Sequence, residues 1–240
     1  MSAALNEWKV LPHGPLVNVA DNIITAEGEV HMPVGNIHRR MTIVRLRDGR
    51  LVVWSAVSLG EDEMRSIERF GRPAFLIVPN PYHRMDAKAW KDRYPGMRVI
   101  APEGAREKVA AAVPVDASNA TFGDPDVNFI TVPGTREQEA ALEIINPNGV
   151  TLVLNDIIAN IRDAHGFSGW MLKLMGFAGD EPHVPITIRM MLIENKKALA
   201  AQLLRWAGIP TLRRIIVSHG EIIGDDPRGV LRELAVQLGI

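Results

Sequence analysis

The sequence contains no cysteine, and this absence excludes disulfide bonds, thiolate metal sites and cysteine nucleophiles. A metal ion would therefore have to be bound by histidine, aspartate or glutamate. An excess of either charge is also lacking, because 27 Lys and Arg residues balance 28 Asp and Glu residues. A protein that binds nucleic acid usually carries a concentrated basic face, so we expect no nucleic-acid partner.

Long apolar runs are lacking as well. A membrane span needs about 18 or more consecutive apolar residues. The nearest candidate, residues 167–178, is short and contains Lys173. The first residues show no basic start followed by an apolar run, so the sequence predicts neither a signal peptide nor a membrane partner. We therefore expect a cytoplasmic protein.

Several common catalytic and nucleotide-binding motifs are missing. There is no G-x-x-x-x-G-K-[ST] loop for nucleoside triphosphates, no G-x-G-x-x-G turn for dinucleotides and no H-E-x-x-H zinc motif. A G-x-S-x-G elbow is missing too, which disfavours a serine hydrolase of that kind. Any chemistry must therefore come from residues outside these motifs.

The whole chain is predicted to form one domain. Hydrophobic residues make up 47% of the 240 residues, which is enough for a sizeable core. No repeat, low-complexity tract or linker rich in Pro, Gly or Ser divides the sequence. We therefore predict a single domain over residues 1–240.

The first third of the sequence is typical of antiparallel sheet. Strands are predicted over Leu16–Thr25, Met41–Leu46 and Leu51–Trp54. Asp48 and Gly49 lie between the last two. An Asp-Gly pair is a strong hairpin signal, because glycine adopts positive φ without steric cost.

Strands and helices alternate in the rest of the chain. Short apolar runs predict strands over Ala74–Val78, Arg98–Ala101, Phe129–Val132, Leu142–Ile145, Val150–Leu154 and Ile215–Val217. Helices are predicted over Glu61–Phe70, Ala87–Tyr94, Gly104–Ala112, Lys196–Ala207 and a last segment opened by Asp226 and Pro227. This alternation favours an α/β fold with helices packed on sheet.

Histidine and aspartate follow three of the buried strands. His83 and Asp86 come after residues 75–78, Asp156 follows residues 151–154, and His219 follows residues 215–217. Ligands of open α/β sheets collect at the carboxyl ends of strands. Imidazole and carboxylate are suitable ligands for zinc, iron or manganese, so these four residues are the candidate metal site.

The order of elements and these strand ends resemble the metallo-β-lactamase superfamily. More closely, the sequence is similar to a branch with weakened metal motifs, the DUF4336 type. The resemblance covers most of the chain and implies a four-layer αββα sandwich. Members of the superfamily usually bind one or two metal ions that activate water for hydrolysis.

The resemblance can be carried over residue by residue. The family motif H-x-H-x-D-H places its second histidine on His83, and its other ligands fall on Pro81, Met85 and Asp86. Asp86 is then a substitute donor. A family histidine that follows a Pro-Gly turn is replaced by Thr135.

The two later family ligands are present in this sequence. The aspartate at a strand end matches Asp156, and the last histidine matches His219 in Ser-His-Gly. The resemblance therefore implies a reduced metal site in which Asp156 is also the candidate catalytic residue.

Each of these residues also has a structural interpretation. His83 and His219 could be hydrogen-bonded histidines of a loop and of the interior. Asp86 directly precedes a predicted helix and is a natural N-cap, and Asp156 could cap the segment that follows it.

Four further residues are possible donors. His165 and His183 could complete a site or lie in surface loops. Glu137 and Glu139 could replace the missing histidine, although a solvated helix start is the more favoured interpretation.

Three hypotheses about function follow. The first is a hydrolase with one zinc, iron or manganese ion, bound by His83, Asp156 and His219 with Asp86 as a further donor. Its substrate would be a small ester, thioester, lactone or phosphoester. The second is a catalytically inactive, metal-free member that binds a small molecule or a protein. The third is a homo-oligomer that forms its contact through Trp170–Phe177.

Overall fold

The computed structural model describes residues 4–32, 35–162, 173 and 176–239. Two compact units divide the chain, residues 1–124 and residues 125–240. Each unit contains a sheet with helices, so the predicted α/β class is confirmed. The single domain expected over residues 1–240 stays a prediction.

The first unit contains a sheet whose six described strands follow one another in chain order. They are β1 (Val17–Ala20), β2 (Ile23–Met32), β3 (Gly35–Arg45), β4 (Arg50–Trp54), β5 (Arg72–Ile77) and β6 (Arg98–Ile100). β1 to β4 pair antiparallel, whereas β4, β5 and β6 run parallel. The turn between β3 and β4 contains Gly49 at a φ of 80°, as the Asp-Gly pair predicts.

The helices of the first unit cover its parallel strands. They are α1 (Glu61–Phe70), α2 (Ala87–Arg93) and α3 (Arg106–Ala110), the last preceded by a 3-10 turn over Glu103–Ala105. Acidic residues in the first turn of α1 favour its start through the helix dipole. Ile67 of α1, Trp90 of α2 and Val53 of β4 belong to one buried core, and the Trp90 indole N–H donates to the Val57 carbonyl at 3.1 Å.

The second unit contains a sheet with the strand order β10-β9-β8-β7. These strands are β7 (Val127–Thr131), β8 (Ala140–Asn146), β9 (Gly149–Asn160) and β10 (Leu212–Gly220). β10 is parallel to β9, and the other neighbours are antiparallel. All of β9 after Gly149 is buried, as expected for a strand covered on both faces.

Three described helices belong to the second unit: α4 (Ile186–Met191), α5 (Lys196–Ala207) and α6 (Pro227–Gln237). The Asn195 side chain caps α5 by accepting a hydrogen bond from the Ala198 N–H at 3.0 Å. Asp226 caps α6 in the same way, from the Gly229 N–H at 2.9 Å, which confirms the predicted start of the last helix. Trp206 of α5 and Leu234 of α6 pack with Ile215 of β10 in the core of this unit.

The structure differs from several of the predicted elements. The strand expected over Leu16–Thr25 is split into β1 and β2 by a turn at residues 21–22. The helix expected over Gly104–Ala112 is a 3-10 turn followed by the shorter α3. β9 does not end at Leu154 but continues to Asn160. In the part of the chain that the structure describes, no helix combines the length and hydropathy needed to cross a bilayer.

Candidate functional site

Asp156 lies inside β9, in an irregular stretch of its pairing with β10. We expected Asp156 and His219 just after strand ends, but both belong to strands. Val217 pairs with Leu154 and His219 pairs with Ala159, so β10 advances two residues while β9 advances five. Residues 155–158 therefore form a bulge, and a bulge re-aims the side chains that it carries.

The bulge places Asp156 against His219. The Asp156 Oδ1 atom lies 3.2 Å from the His219 Nε2 atom, and both side chains are buried. This pair lies within the second unit and brings together two of the four predicted site residues. A buried carboxylate beside an imidazole can act as a hydrogen-bonded pair or as two ligands of one ion.

The Glu139 side chain stabilises the bulge through a hydrogen bond to its backbone. Its Oε1 atom accepts a hydrogen bond from the Asp156 backbone N–H at 2.8 Å, and its side chain is fully buried. The solvated helix start expected around Glu139 is therefore wrong, because this segment is a turn that leads directly into β8. No local pattern in the sequence indicates this role, since Glu139 and its partner are 17 positions apart.

Removing the Glu139 carboxylate should destabilise the protein. The change Glu139→Ala leaves the Asp156 N–H buried without its acceptor, which costs about 1–3 kcal/mol. Glu139→Gln keeps an accepting oxygen and should cost less. Chemical denaturation measures both losses.

Glu233→Ala is the matched control, because that carboxylate is exposed on α6. Its effect should stay within about 0.5 kcal/mol. Equal stability of the Glu139→Ala and Glu233→Ala variants would contradict the proposed role of Glu139.

Polar contacts on both sides of the pair hold β10 to β9. The Ser218 hydroxyl donates to the Asn155 Oδ1 atom, and the Asn160 amide donates to the Glu221 carbonyl at 2.9 Å. Gly220 directly follows His219 and has a φ of 96°. A β-carbon there would lie 2.0 Å from the Asn160 carbonyl oxygen, so the two backbones approach too closely for any other residue.

An aromatic ring covers His219 from a neighbouring segment. The Phe177 ring packs edge-to-face on the His219 ring, with 5.8 Å between ring centres. His183 pairs through its backbone with Ala159 of β9. The His183 ring nitrogens each lie 2.8 Å from a backbone carbonyl oxygen, one of Gly176 and one of Glu181. The His183 ring therefore stabilises the backbone around Gly176 and Glu181 and does not join Asp156 and His219.

His165 lies outside the described residues, as does most of the apolar stretch Trp170–Phe177 that we considered as an oligomer contact.

His83 lies in the first unit, in the loop after β5. The Asn80 side chain accepts hydrogen bonds from the backbone N–H groups of Tyr82, at 2.8 Å, and of His83, at 3.2 Å. The Ser55 hydroxyl oxygen lies 2.7 Å from the His83 Nδ1 atom, and both side chains are buried. The loop and the ring of His83 are thus each held by a polar side chain.

Asp86 takes part in a buried ion pair. Its Oδ2 atom accepts a hydrogen bond from Arg39 of β3, and its Oδ1 atom accepts one from the Ser58 N–H at 3.1 Å. Asp86 occupies the N-cap position of α2, but its side chain makes no capping hydrogen bond. The predicted cap is therefore wrong, because Arg39 and Ser58 engage the carboxylate. Its role as a substitute donor stays a prediction.

Two positions at which the resemblance expects metal ligands are packed into the interior. Met85 and Thr135 are both buried, and the Thr135 hydroxyl donates to the Val132 carbonyl at 2.7 Å. These side chains serve packing and turn formation in their own units.

The pair in the second unit fits a single metal ion. Ligand atoms 3.2 Å apart can each lie about 2.1 Å from one ion, with an angle of about 100° between the two bonds. Tetrahedral and octahedral coordination both accept such an angle.

Solved structures similar to this chain are metallo-β-lactamases. The mono-zinc form of FIM-1 from Pseudomonas aeruginosa superposes with a TM-score of 0.64 at 11% identity, covering 97% of this chain and 98% of that protein. The Hirschia baltica enzyme superposes at 0.60 and 12% identity, covering 92% and 98%. The Erythrobacter litoralis enzyme superposes at 0.62 and 12% identity, covering 92% and 96%.

At these identities the likeness shows the fold. The chain has the metallo-β-lactamase fold, as the order of its elements and its strand ends predict. The sequence matches no protein-family model and no curated protein.

Proposed function

We propose that this protein is a metal-dependent hydrolase with a reduced, single-ion site at Asp156 and His219, to which the family resemblance adds His83 as a third donor. The observation that carries the proposal is the buried contact between Asp156 and His219, set up by the bulge in β9. The metallo-β-lactamase fold supports it, because one of the similar structures is a mono-zinc form. The weakened motifs described above are the reason for proposing one ion and not two.

The three donors have the chemistry that such an ion needs. Each of them offers one ligand atom and each is buried, so few waters compete with them. Two imidazoles and one carboxylate suit zinc, iron or manganese. Asp86 would be a fourth donor only if an ion displaced Arg39 or Ser58 from its carboxylate.

The residues of the second unit have distinct roles in this proposal. A bound ion would supply polarisation of a water molecule, whose pKa falls towards about 7. Asp156 would accept the proton that this water loses. Glu139 holds the backbone of Asp156, and Phe177 restricts the ring of His219 and keeps water from one side of it. The substrate class that we propose is a small ester, thioester, lactone or phosphoester.

Metal analysis tests the proposal directly. Protein purified without chelator and incubated with zinc, iron or manganese should bind about one ion per chain. The double change Asp156→Ala with His219→Ala should abolish this binding. Asp62→Asn is the matched control, since this side chain is 86% exposed, and it should bind as the wild type does. Less than about 0.2 ion per chain with all three metals would contradict the proposal.

A metal-free binding protein is the second candidate function. Two observations favour it: Asp156 and His219 can satisfy each other as a hydrogen-bonded pair, and Met85 and Thr135 fill ligand positions of the family with packed side chains. In that case excess zinc should leave the thermal midpoint of the wild type unchanged. A rise in the midpoint that the double variant lacks would contradict it.

Homo-oligomer formation is a separate proposal. α4, which follows the apolar stretch Trp170–Phe177 in the sequence, exposes Met190 by 77% and Ile186 by 58%, and these apolar side chains support a contact. Light scattering that shows a monomer at tens of micromolar would contradict it.

A further inference from the structure

Ser55 has an unusual backbone conformation for its residue type. It directly follows Trp54, the last residue of β4, and its φ is 52°, in the left-handed region that favours glycine. Its side chain is fully buried, and its N–H donates to the Ile77 carbonyl at 3.1 Å, which continues the parallel pairing of β4 with β5. A glycine would fit this position with less strain.

The side chain of Ser55 supplies a reason for this conformation. Its hydroxyl oxygen lies 2.7 Å from the His83 Nδ1 atom, in a buried contact between residues 28 positions apart. Asn80 holds the backbone of His83, and the hydroxyl of Ser55 adds a contact to the imidazole ring itself. Strained residues that the surrounding structure maintains cluster at functional sites.

A hydrogen bond at one ring nitrogen determines what the other nitrogen can do. If Nδ1 carries the proton and donates it to the Ser55 oxygen, then Nε2 presents its lone pair and can bind a metal ion. Histidines that bind metals almost always have such a partner on their second nitrogen.

We propose that Ser55 is a positioning residue that holds His83 as the Nδ1–H tautomer, so that Nε2 is the ligand of a divalent ion. The inference rests on the proposed metal site and adds a residue that neither the sequence motifs nor the family resemblance indicates. Ser55 itself touches neither the ion nor a substrate.

Two substitutions separate this role from a structural one. Ser55→Gly and Ser55→Ala both remove the hydroxyl, but only the glycine variant also removes the backbone strain. We expect both variants to bind zinc about 10- to 100-fold more weakly in a calorimetric titration. In the metal-free protein, we expect Ser55→Gly to have a higher thermal midpoint than Ser55→Ala, because both lose the hydroxyl but only the glycine relieves the strain.

Arg136→Gly is the control for strain alone. Arg136 has a φ of 55° in an exposed turn, so the change should raise the thermal midpoint and leave zinc affinity unchanged. If Ser55→Gly binds zinc as tightly as the wild type does, the inference is wrong. A purely structural Ser55 would give unchanged zinc affinity in both variants, whatever their midpoints.

A measurement without metal keeps this inference distinct from the proposed function. Nitrogen-15 NMR of the metal-free wild type should show His83 protonated at Nδ1, and this preference should be lost in Ser55→Ala. A wild type that binds no metal but shows this tautomer contradicts the proposed function and the ligand role of Nε2, but not the role of Ser55 in setting the tautomer. A wild-type His83 protonated at Nε2 overturns the inference whatever the metal result.

Discussion

Replacing Arg39 with methionine is expected to destabilise the first unit by about 3–5 kcal/mol. The guanidinium of Arg39 and the carboxylate of Asp86 form an ion pair in which both side chains are buried. Methionine removes the cation but leaves the carboxylate inside the protein, where only the Ser58 N–H remains among the partners described above. An unpaired buried charge is far more costly than the pair.

The double change Arg39→Met with Asp86→Leu should recover most of that loss, because no charge then remains buried. Urea denaturation followed by tryptophan fluorescence measures the free energy of unfolding, since Trp54 and Trp90 are fully buried in this unit. Arg65→Met is the matched control, since its partner Asp62 is 86% exposed, and it should cost less than about 1 kcal/mol. Equal losses for Arg39→Met and Arg65→Met would contradict the expectation.

The same double variant also tests Asp86 as a metal ligand. If Asp86 is structural, the folded double variant should bind zinc with wild-type affinity. A large loss of affinity in a folded protein would place Asp86 among the ligands.

The change Gly220→Ala is expected to cost roughly 3 kcal/mol or more. The left-handed φ of 96° disfavours alanine, and the new β-carbon would meet the backbone of Asn160 at 2.0 Å. Backbone cannot move aside as a flexible side chain can. β10 would have to shift away from β9, and His219 would move away from Asp156, so metal binding should weaken as well.

Gly224→Ala is the matched control for this change. A β-carbon at Gly224 would meet no atom within 4 Å, and the residue lies only four positions further along the chain. Its effect should stay within about 0.5 kcal/mol. Thermal and urea denaturation of both variants give the comparison. Equal stabilities would show that the backbone at Asn160 can move away from a β-carbon at position 220.

Much of the fold could be predicted because its signals are local. The Asp-Gly hairpin, the caps of α5 and α6 and the short apolar strands are each encoded within a few neighbouring residues. A histidine or an aspartate shortly after a short apolar run is also a local signal, and this pattern indicates both Asp156 and His219 as candidate ligands.

The remaining features depend on contacts between distant parts of the chain. Arg39 and Asp86 are 47 positions apart, so the sequence suggested a helix cap where the structure has an ion pair. The bulge in β9 depends on its pairing with β10, whereas the apolar pattern ends at Leu154. Ser55 has no sequence signal at all, because nothing in the residue type indicates positive φ.

The irregular pairing of β9 bears on how such a site can be gained or lost. β9 carries three more residues than β10 between the pairs Val217–Leu154 and His219–Ala159. Deleting three residues there would restore a regular parallel ladder but would also remove Ile157, Ile158 or both from the core of this unit, so the segment that carries Asp156 contributes to packing as well as to the candidate site. The candidate metal site and part of the core therefore share one irregular segment, so losing the site by deletion would also disturb the packing of this unit.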